Sequence, residues 1–199
     1  MKDIVFDFGG VLIDWNPRYL YRKIFQTDKE VEWFLANVCT SQWNTQQDAG
    51  RSLEEGIEQL ENKFPEYAFA IRFYYTRWEE MLGGEIAGTV EILRELKKRG
   101  YRLYGLTNWS AELFPIAQKR FDFLKEFDGI VVSGQEKLVK PDPRIYSCLL
   151  RRYQLDAQNC IFIDDNKANV SEAADLGFET ILFTSPDDLR RILISRSVL

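Results

Sequence analysis

Ile4-Val5-Phe6-Asp7-Phe8-Gly9-Gly10-Val11 is the stretch from which the fold can be read. Ile4, Val5 and Phe6 form an apolar run without alternation. That is the pattern of a strand buried on both faces, and hence of a parallel sheet. Gly9 and Gly10 allow backbone conformations closed to other residues, so the chain can turn sharply there and a ligand can come close. Asp7 is then placed at the carboxyl end of a central strand, the edge along which open α/β sheets bind their ligands. Taken alone, the stretch reads equally well as an acid that caps a turn.

Composition narrows the chemistry. A chain of 199 residues holds one large domain, or a core with an insertion, and buries a substantial core either way. Its 45% apolar and 29% charged residues suit a soluble globular protein. With 26 basic against 31 acidic residues, a net charge of −5 and no Lys/Arg block, nucleic acid is not an expected partner. Histidine is absent. That removes Ser-His and Cys-His nucleophiles, histidine metal sites and histidine bases together, leaving carboxylates, lysine, hydroxyls and thiols. Cys39, Cys148 and Cys160 are odd in number and far apart, and read as buried free thiols. The sequence shows no charged-then-apolar leader and no apolar run long enough to cross a membrane, so a cytoplasmic protein with no membrane partner is expected.

From about Asn16 to Glu85 the pattern turns helical and rich in aromatics, with Pro17 in a first turn behind Asn16 as N-cap. Ser52 and Glu55 fit a capping box, and Pro65 marks a boundary between helices. An aromatic stripe at this spacing reads as core. Beyond Gly83-Gly84, strands at 101–106, 129–132, 160–163 and 180–183 alternate with helices at 89–99, 111–123, 141–153, 168–176 and from 186 onward. Such alternation builds a parallel sheet with helices on both faces. The fold class expected is α/β: a Rossmann-like core of five parallel strands or slightly more, 1–14 with 86–199, interrupted by a helical segment at 15–85. Hinges are expected near Ile13–Trp15 and Gly83–Glu85.

In such a sheet Asp7, Thr107 and Asp164-Asp165 end strands on one edge, and Lys140 follows the third strand before a proline-started helix. Carboxylates that close together repel unless a cation sits between them, and Mg²⁺ suits oxygen donors best. Lys140 and Thr107 then offer donors to an anion. A group with anionic oxygens and an electrophilic centre is a phosphate ester, which Asp7 would attack to give an aspartyl-phosphate that water releases.

Phe6-Asp7-Phe8-Gly9-Gly10-Val11-Leu12, Leu106-Thr107-Asn108, Lys140-Pro141-Asp142-Pro143-Arg144-Ile145-Tyr146 and Phe162-Ile163-Asp164-Asp165-Asn166 resemble, in order and placement, the four motifs of the haloacid dehalogenase-like hydrolases. The resemblance covers the whole chain and implies a helical cap inserted after the first motif. It further implies Asp7 as nucleophile and metal ligand, the Gly9 carbonyl on Mg²⁺, and Thr107, the Asn108 backbone and Lys140 on phosphate. Asp165 would be the main acidic metal ligand of the fourth motif, with Asp164 direct or through water. Asn169 stands where a further acid is common, and would touch the ligands rather than the metal.

One position departs from the pattern. Phosphatases of this family usually carry an aspartate two residues after the nucleophile, acid to the leaving group and then base to water, and here that residue is Gly9. Losing a positioned acid-base typically costs ~10²–10⁴-fold. Relatives resembling sugar-phosphate phosphatases share the glycine, and an anomeric oxygen departs with less help. The resemblance thus implies a Mg²⁺-dependent phosphatase of a small phosphorylated metabolite, a sugar phosphate such as a hexose 1-phosphate. The alternatives are a metal-independent 2-haloacid dehalogenase, disfavoured by the acid pair and Gly9, and a non-catalytic ligand-binding relative. Asp14 reads as a hinge residue; Arg18, Trp43, Gln46 and Asp48 read as capping, packing or solvated positions rather than substrate selectors.

Overall fold

The structure is a computed structural model and describes residues 2–199. Its strands are β1 (Asp3–Phe6), β2 (Ile13–Trp15), β3 (Leu82–Glu85), β4 (Leu103–Thr107), β5 (Gly129–Val132), β6 (Cys160–Asp164) and β7 (Glu179–Leu182). Five of them form one parallel sheet in the order β5-β4-β1-β6-β7. β1 lies at its centre, with Val5 in register with Tyr104 on one side and Phe162 on the other.

Alternation along β1 splits its side chains between two apolar layers. Ile4 and Phe6 join Ile161 and Ile163, while Val5 joins Tyr104, Leu106 and Phe162. Helix Pro143–Tyr153 covers the second layer with Ile145, Tyr146 and Leu149. Helices Ala87–Lys98 and Pro186–Ser195 cover the first through Val90, Leu93, Leu189 and Leu193. The continuous apolar run of β1 thus has the cause expected of it: both faces are covered. No helix of the described residues is long and apolar enough to cross a membrane.

Between β2 and β3 stand the helices Arg18–Tyr21, Asp28–Asn37, Ser41–Asp48, Leu53–Lys63 and Ala68–Thr76. Their aromatics are core. Tyr21 packs on Phe34 at 4.7 Å between ring centres, and Trp43 meets Tyr74 edge-on at 5.1 Å. The polar tips are satisfied too, Tyr21 donating to the Ala70 carbonyl and Trp43 Nε1 to that of Gly56, each at 3.0 Å. This apolar cluster runs without a break into the layer containing Ile4 and Phe6.

Several local expectations change. The chain at Ile13–Trp15 and Leu82–Glu85 is an antiparallel ribbon, with Asp14 opposite Gly84, where bare hinges were expected. Three-residue and Gly-rich strands carry too little pattern to be read. Ser52 does cap its helix, accepting from the Glu55 amide, but the Glu55 carboxylate accepts from Gln59 instead of closing a box. The reciprocal box is at Thr27 and Glu30. The helix expected over 111–123 is only Phe114–Arg120, followed by a tight 3₁₀ stretch at Asp122–Glu126. Asn16 accepts from the Arg18 amide, but its helix ends after one turn at Tyr21. All cysteines are free, and Cys148 is only partly buried, donating to Glu136.

Phe162 is wholly buried on β6, edge-on to Tyr146 at 5.5 Å and to Phe178 at 6.1 Å. Phe162→Ala should lower stability by about 3–5 kcal/mol. Urea unfolding would show it as an earlier midpoint with unchanged slope.

Candidate active site

Parallel pairing brings the carboxyl ends of β1, β4 and β6 side by side. Asp7 continues β1, its amide donating to the Ile163 carbonyl at 2.9 Å, so it is held as firmly as the strand. Its Oδ1 accepts from the Phe8 amide at 2.7 Å. Lys140 arrives from the loop before helix Pro143–Tyr153 and is buried. Its ammonium donates to Asp164 Oδ2 and the Leu106 carbonyl, both at 2.7 Å, and lies 3.0 Å from Asp7 Oδ1. One charge therefore ties together the ends of β1, β4 and β6.

Amide side chains hold these groups in place. Asn108 Oδ1 accepts from the Lys140 amide at 2.8 Å, and its Nδ2 donates to the Lys140 carbonyl at 3.0 Å. Asn169 Nδ2 donates to both oxygens of Asp164 at 3.1 Å, and the Asn166 amide adds a third bond at 2.8 Å. Asn166 also caps the helix Lys167–Asp175, fixing the turn that follows the acid pair.

Burial pushes the Asp7 carboxyl up to about 7; Lys140 opposes the shift, and Asp164 and Asp165 add to it. Lys140 loses by burial but gains more from Asp7 and Asp164, so its ammonium is held above the ordinary lysine value. Asp7, Asp164 and Asp165 each offer an oxygen within 4.8 Å of the others. Three carboxylates against one ammonium leave two negative charges, and hard oxygen donors of that net charge fit a divalent cation such as Mg²⁺. Gly10 is needed beside them. Its φ is +74°, and a Cβ there would lie 2.4 Å from Asp165 Oδ2.

Across from this cluster, the Thr107 hydroxyl is buried and has no hydrogen-bond partner among the described residues; the same holds for Trp109 Nε1. A cavity of about 90 Å³ adjoins Gly9 and Asn108. Trp15, Trp78 and Trp109 wall it, and Asn44 and Asp48 reach it from the helix Ser41–Asp48. A Cβ at Gly9 would meet nothing within 4 Å.

Of the seven residues expected at the site, Asp7, Gly9, Thr107, Asn108, Asp164 and Asp165 stand at these strand ends or just after them, and Lys140 reaches them from the loop before helix Pro143–Tyr153. Of the others considered, Asp14 accepts from the Tyr19 hydroxyl at 2.7 Å in the ribbon. Arg18 pairs with Glu32, Trp43 is core and Gln46 is exposed. Asp48 does face the cavity, contrary to its reading as a capping or solvated residue, and burial pushes its carboxyl up to about 7 while the Ser110 backbone amide lowers it. Sequence reasoning missed the Leu106 carbonyl, the three tryptophan walls and Asn44. A backbone acceptor has no residue signature, and the walls come from distant segments.

Fold and site together define an α/β enzyme that works at the carboxyl edge of a parallel sheet. Residues 1–177 match the haloacid dehalogenase-like hydrolase family, and the chain belongs to it, as a phosphatase-like hydrolase. The chain is 28% identical over 188 residues to the phosphorylated carbohydrates phosphatase of Thermotoga maritima, covering 91% of this chain and 84% of that one. It is likewise 28% identical over 176 residues to the sesquiterpene phosphatase astK of Aspergillus oryzae, covering 88% and 86%. A HAD family enzyme of Bacteroides thetaiotaomicron, solved as a magnesium complex, shares the fold with a TM-score of 0.74 at 22% identity, over 97% of this chain and 98% of that one.

Asn169→Ala would strip the buried Asp164 of one donor group. The expected loss is about 1–3 kcal/mol in urea unfolding. A loss below about 0.5 kcal/mol would show that Asp164 is satisfied without it.

Proposed function

We propose that the protein is a Mg²⁺-dependent phosphomonoester hydrolase of a small phosphorylated metabolite, a sugar phosphate such as a hexose 1-phosphate, acting through an aspartyl-phosphate on Asp7. The observation that carries this reading is the trio Asp7, Asp164 and Asp165 within 4.8 Å, faced by the buried Lys140. A 2-haloacid dehalogenase of this fold needs no cation. The two uncompensated negative charges of the cluster Asp7, Asp164, Asp165 and Lys140 would serve no purpose there.

Asp7, Asp164, Asp165 and the Gly9 carbonyl would hold Mg²⁺, which supplies positive charge to the phosphoryl oxygens when bound. The chain's own residues do the rest. The Phe8 amide and Lys140 hold Asp7 Oδ1, which fixes the rotamer from which the carboxylate attacks phosphorus in line with the leaving oxygen. Lys140 offsets charge on the transferring group. The partnerless Thr107 hydroxyl and the Asn108 backbone N–H supply donors to its oxygens. Residues 15–85 act as a cap over the core formed by 1–14 and 86–199, and the tryptophan walls beside Gly9 give the leaving group an apolar face. The names of the Thermotoga and Aspergillus relatives support a phosphorylated substrate, and the former a phosphorylated carbohydrate.

Purified protein with Mg²⁺ should release phosphate from at least one of a panel of hexose 1-phosphates, hexose 6-phosphates and mononucleotides, lose that activity in EDTA and regain it with Mg²⁺. Asp7→Asn should lower the rate by ~10⁴-fold or more. No release from any ester would sink the reading, and unchanged release by Asp7→Asn would sink the covalent mechanism. Chloride release from a 2-haloacid without metal would establish the dehalogenase instead.

A further inference from the structure

An alkoxide is a poor leaving group, and the nucleophile's loop offers it no proton because position 9 is glycine. Asp7, Asp164 and Asp165 belong to the charged cluster, and Asp14 is bound to Tyr19 in the ribbon. Among the described residues, Asp48 is the carboxyl group on the wall of the cavity that adjoins Gly9.

Its placement is built from both sides. Asp48 is the last residue of the helix Ser41–Asp48, and its carbonyl accepts from Ser133 Oγ at 2.6 Å. That same hydroxyl accepts from the Trp109 amide at 2.8 Å, two residues beyond Thr107. The helix end is therefore fastened to the loop that carries Thr107 and Asn108. Asn44 Nδ2 donates to Asp48 Oδ2 at 3.1 Å and orients the carboxyl. Trp78 and Trp109 meet edge-on at 5.4 Å in the adjoining wall. The space at Gly9 is open, since a Cβ there would touch nothing within 4 Å.

We propose that Asp48 is the acid that protonates the leaving oxygen, acting from the inserted helix in place of a side chain at position 9; this rests on the phosphatase reading above. In the first half-reaction an Asp7 oxygen bonds to phosphorus, the phosphorus–alkoxide bond breaks, and the Asp48 proton passes to the leaving oxygen to give the free alcohol. In the second, water attacks phosphorus, its proton returns to the Asp48 carboxylate, the bond to Asp7 breaks and inorganic phosphate leaves. A protonated Asp48, favoured by burial, is the form that starts the cycle.

The test is release of the alcohol in a single turnover, with enzyme in excess and Mg²⁺ present. Two esters are compared: p-nitrophenyl phosphate, whose leaving group needs no proton, and whichever of hexose 1-phosphate and hexose 6-phosphate the wild type turns over. Asp48→Asn should slow release of the sugar by ~10²–10⁴-fold and that of nitrophenolate far less, shifting their ratio at least tenfold. Gly9→Asp added to Asp48→Asn should recover at least tenfold of the sugar rate. An unchanged ratio, or no recovery in the double variant, overturns the proposal while leaving the phosphatase reading intact. A wild type that releases phosphate from none of these esters and from no mononucleotide removes that reading and the proposal with it, and one that hydrolyses only mononucleotides is tested with the nucleoside as the leaving alcohol. If Asp48→Asn does not fold, as read by circular dichroism, the wild type decides: rates across substituted phenyl and alkyl phosphates should vary less than tenfold, and a fall of ~10²-fold toward the alkyl esters overturns the assignment.

Discussion

Everything at the carboxyl edge of the sheet depends on one buried ammonium. Lys140 donates to Asp164, to the Leu106 carbonyl and to Asp7, so β1, β4 and β6 end on a common charge. A lone lysine at that depth would give up its proton, because burial penalises the charged form. The two carboxylates reverse the balance. The reverse holds as well: without the ammonium, Asp7 and Asp164 would face each other uncompensated, and removing one partner of a buried ion pair typically costs about 3–5 kcal/mol. Such a cluster is a poor way to gain stability, and hydrophobic residues of the same size would do as well or better. Its value is in the charge it presents.

The neutral residues around the cluster tune that charge. Asn108 fixes the Lys140 backbone and Asn169 fixes Asp164, both through amide groups that add hydrogen bonds and no charge. An acid at 169 would raise the deficit beside Asp164 to three negative charges. The asparagine keeps it at two, which suits a divalent cation, and it donates hydrogen bonds that an ionised acid could not. Asn169 thus acts on the geometry and charge of Asp164.

Features that rest on composition and period could be read from the chain, and features that rest on tertiary neighbours could not. The unalternating Ile4-Val5-Phe6 run had to be covered on both faces, and once the sheet was parallel the strand ends had to share an edge; Asp7, Thr107 and Asp164 followed from that alone. Lys140 was legible because a proline-started helix fixes where the preceding loop must return. The β2–β3 ribbon was not legible, because Ile13-Asp14-Trp15 and Leu82-Gly83-Gly84-Glu85 are strands only by virtue of pairing with each other. Asp48 escaped for a related reason. On its own helix it is a C-terminal acid shortly before Gly50, and only the docking of that helix brings it to the wall of the cavity that Gly9 also lines. The partnerless Thr107 hydroxyl is another property of the surroundings that no residue pattern encodes.

The inserted segment is held by different physics at its two ends. Around Tyr21, Phe34 and Tyr74 it shares a continuous apolar cluster with the sheet, and separating that surface from itself costs free energy in proportion to its area. Elsewhere along the seam, the Trp78–Trp109 edge contact is joined by single polar bonds: Ser133 to the Asp48 carbonyl, the Leu53 amide to Glu112, and Arg120 to the carbonyls of Glu79 and Leu82. Water can replace each of these at a net cost of about 1 kcal/mol. The fold therefore draws its stability from the apolar side, while the helix end that carries Asp48 to the cavity is fastened to the core by a polar bond for which water competes. Chemistry that uses Asp48 is thereby coupled to docking of the segment, and the nucleophile, held by the central strand, is not.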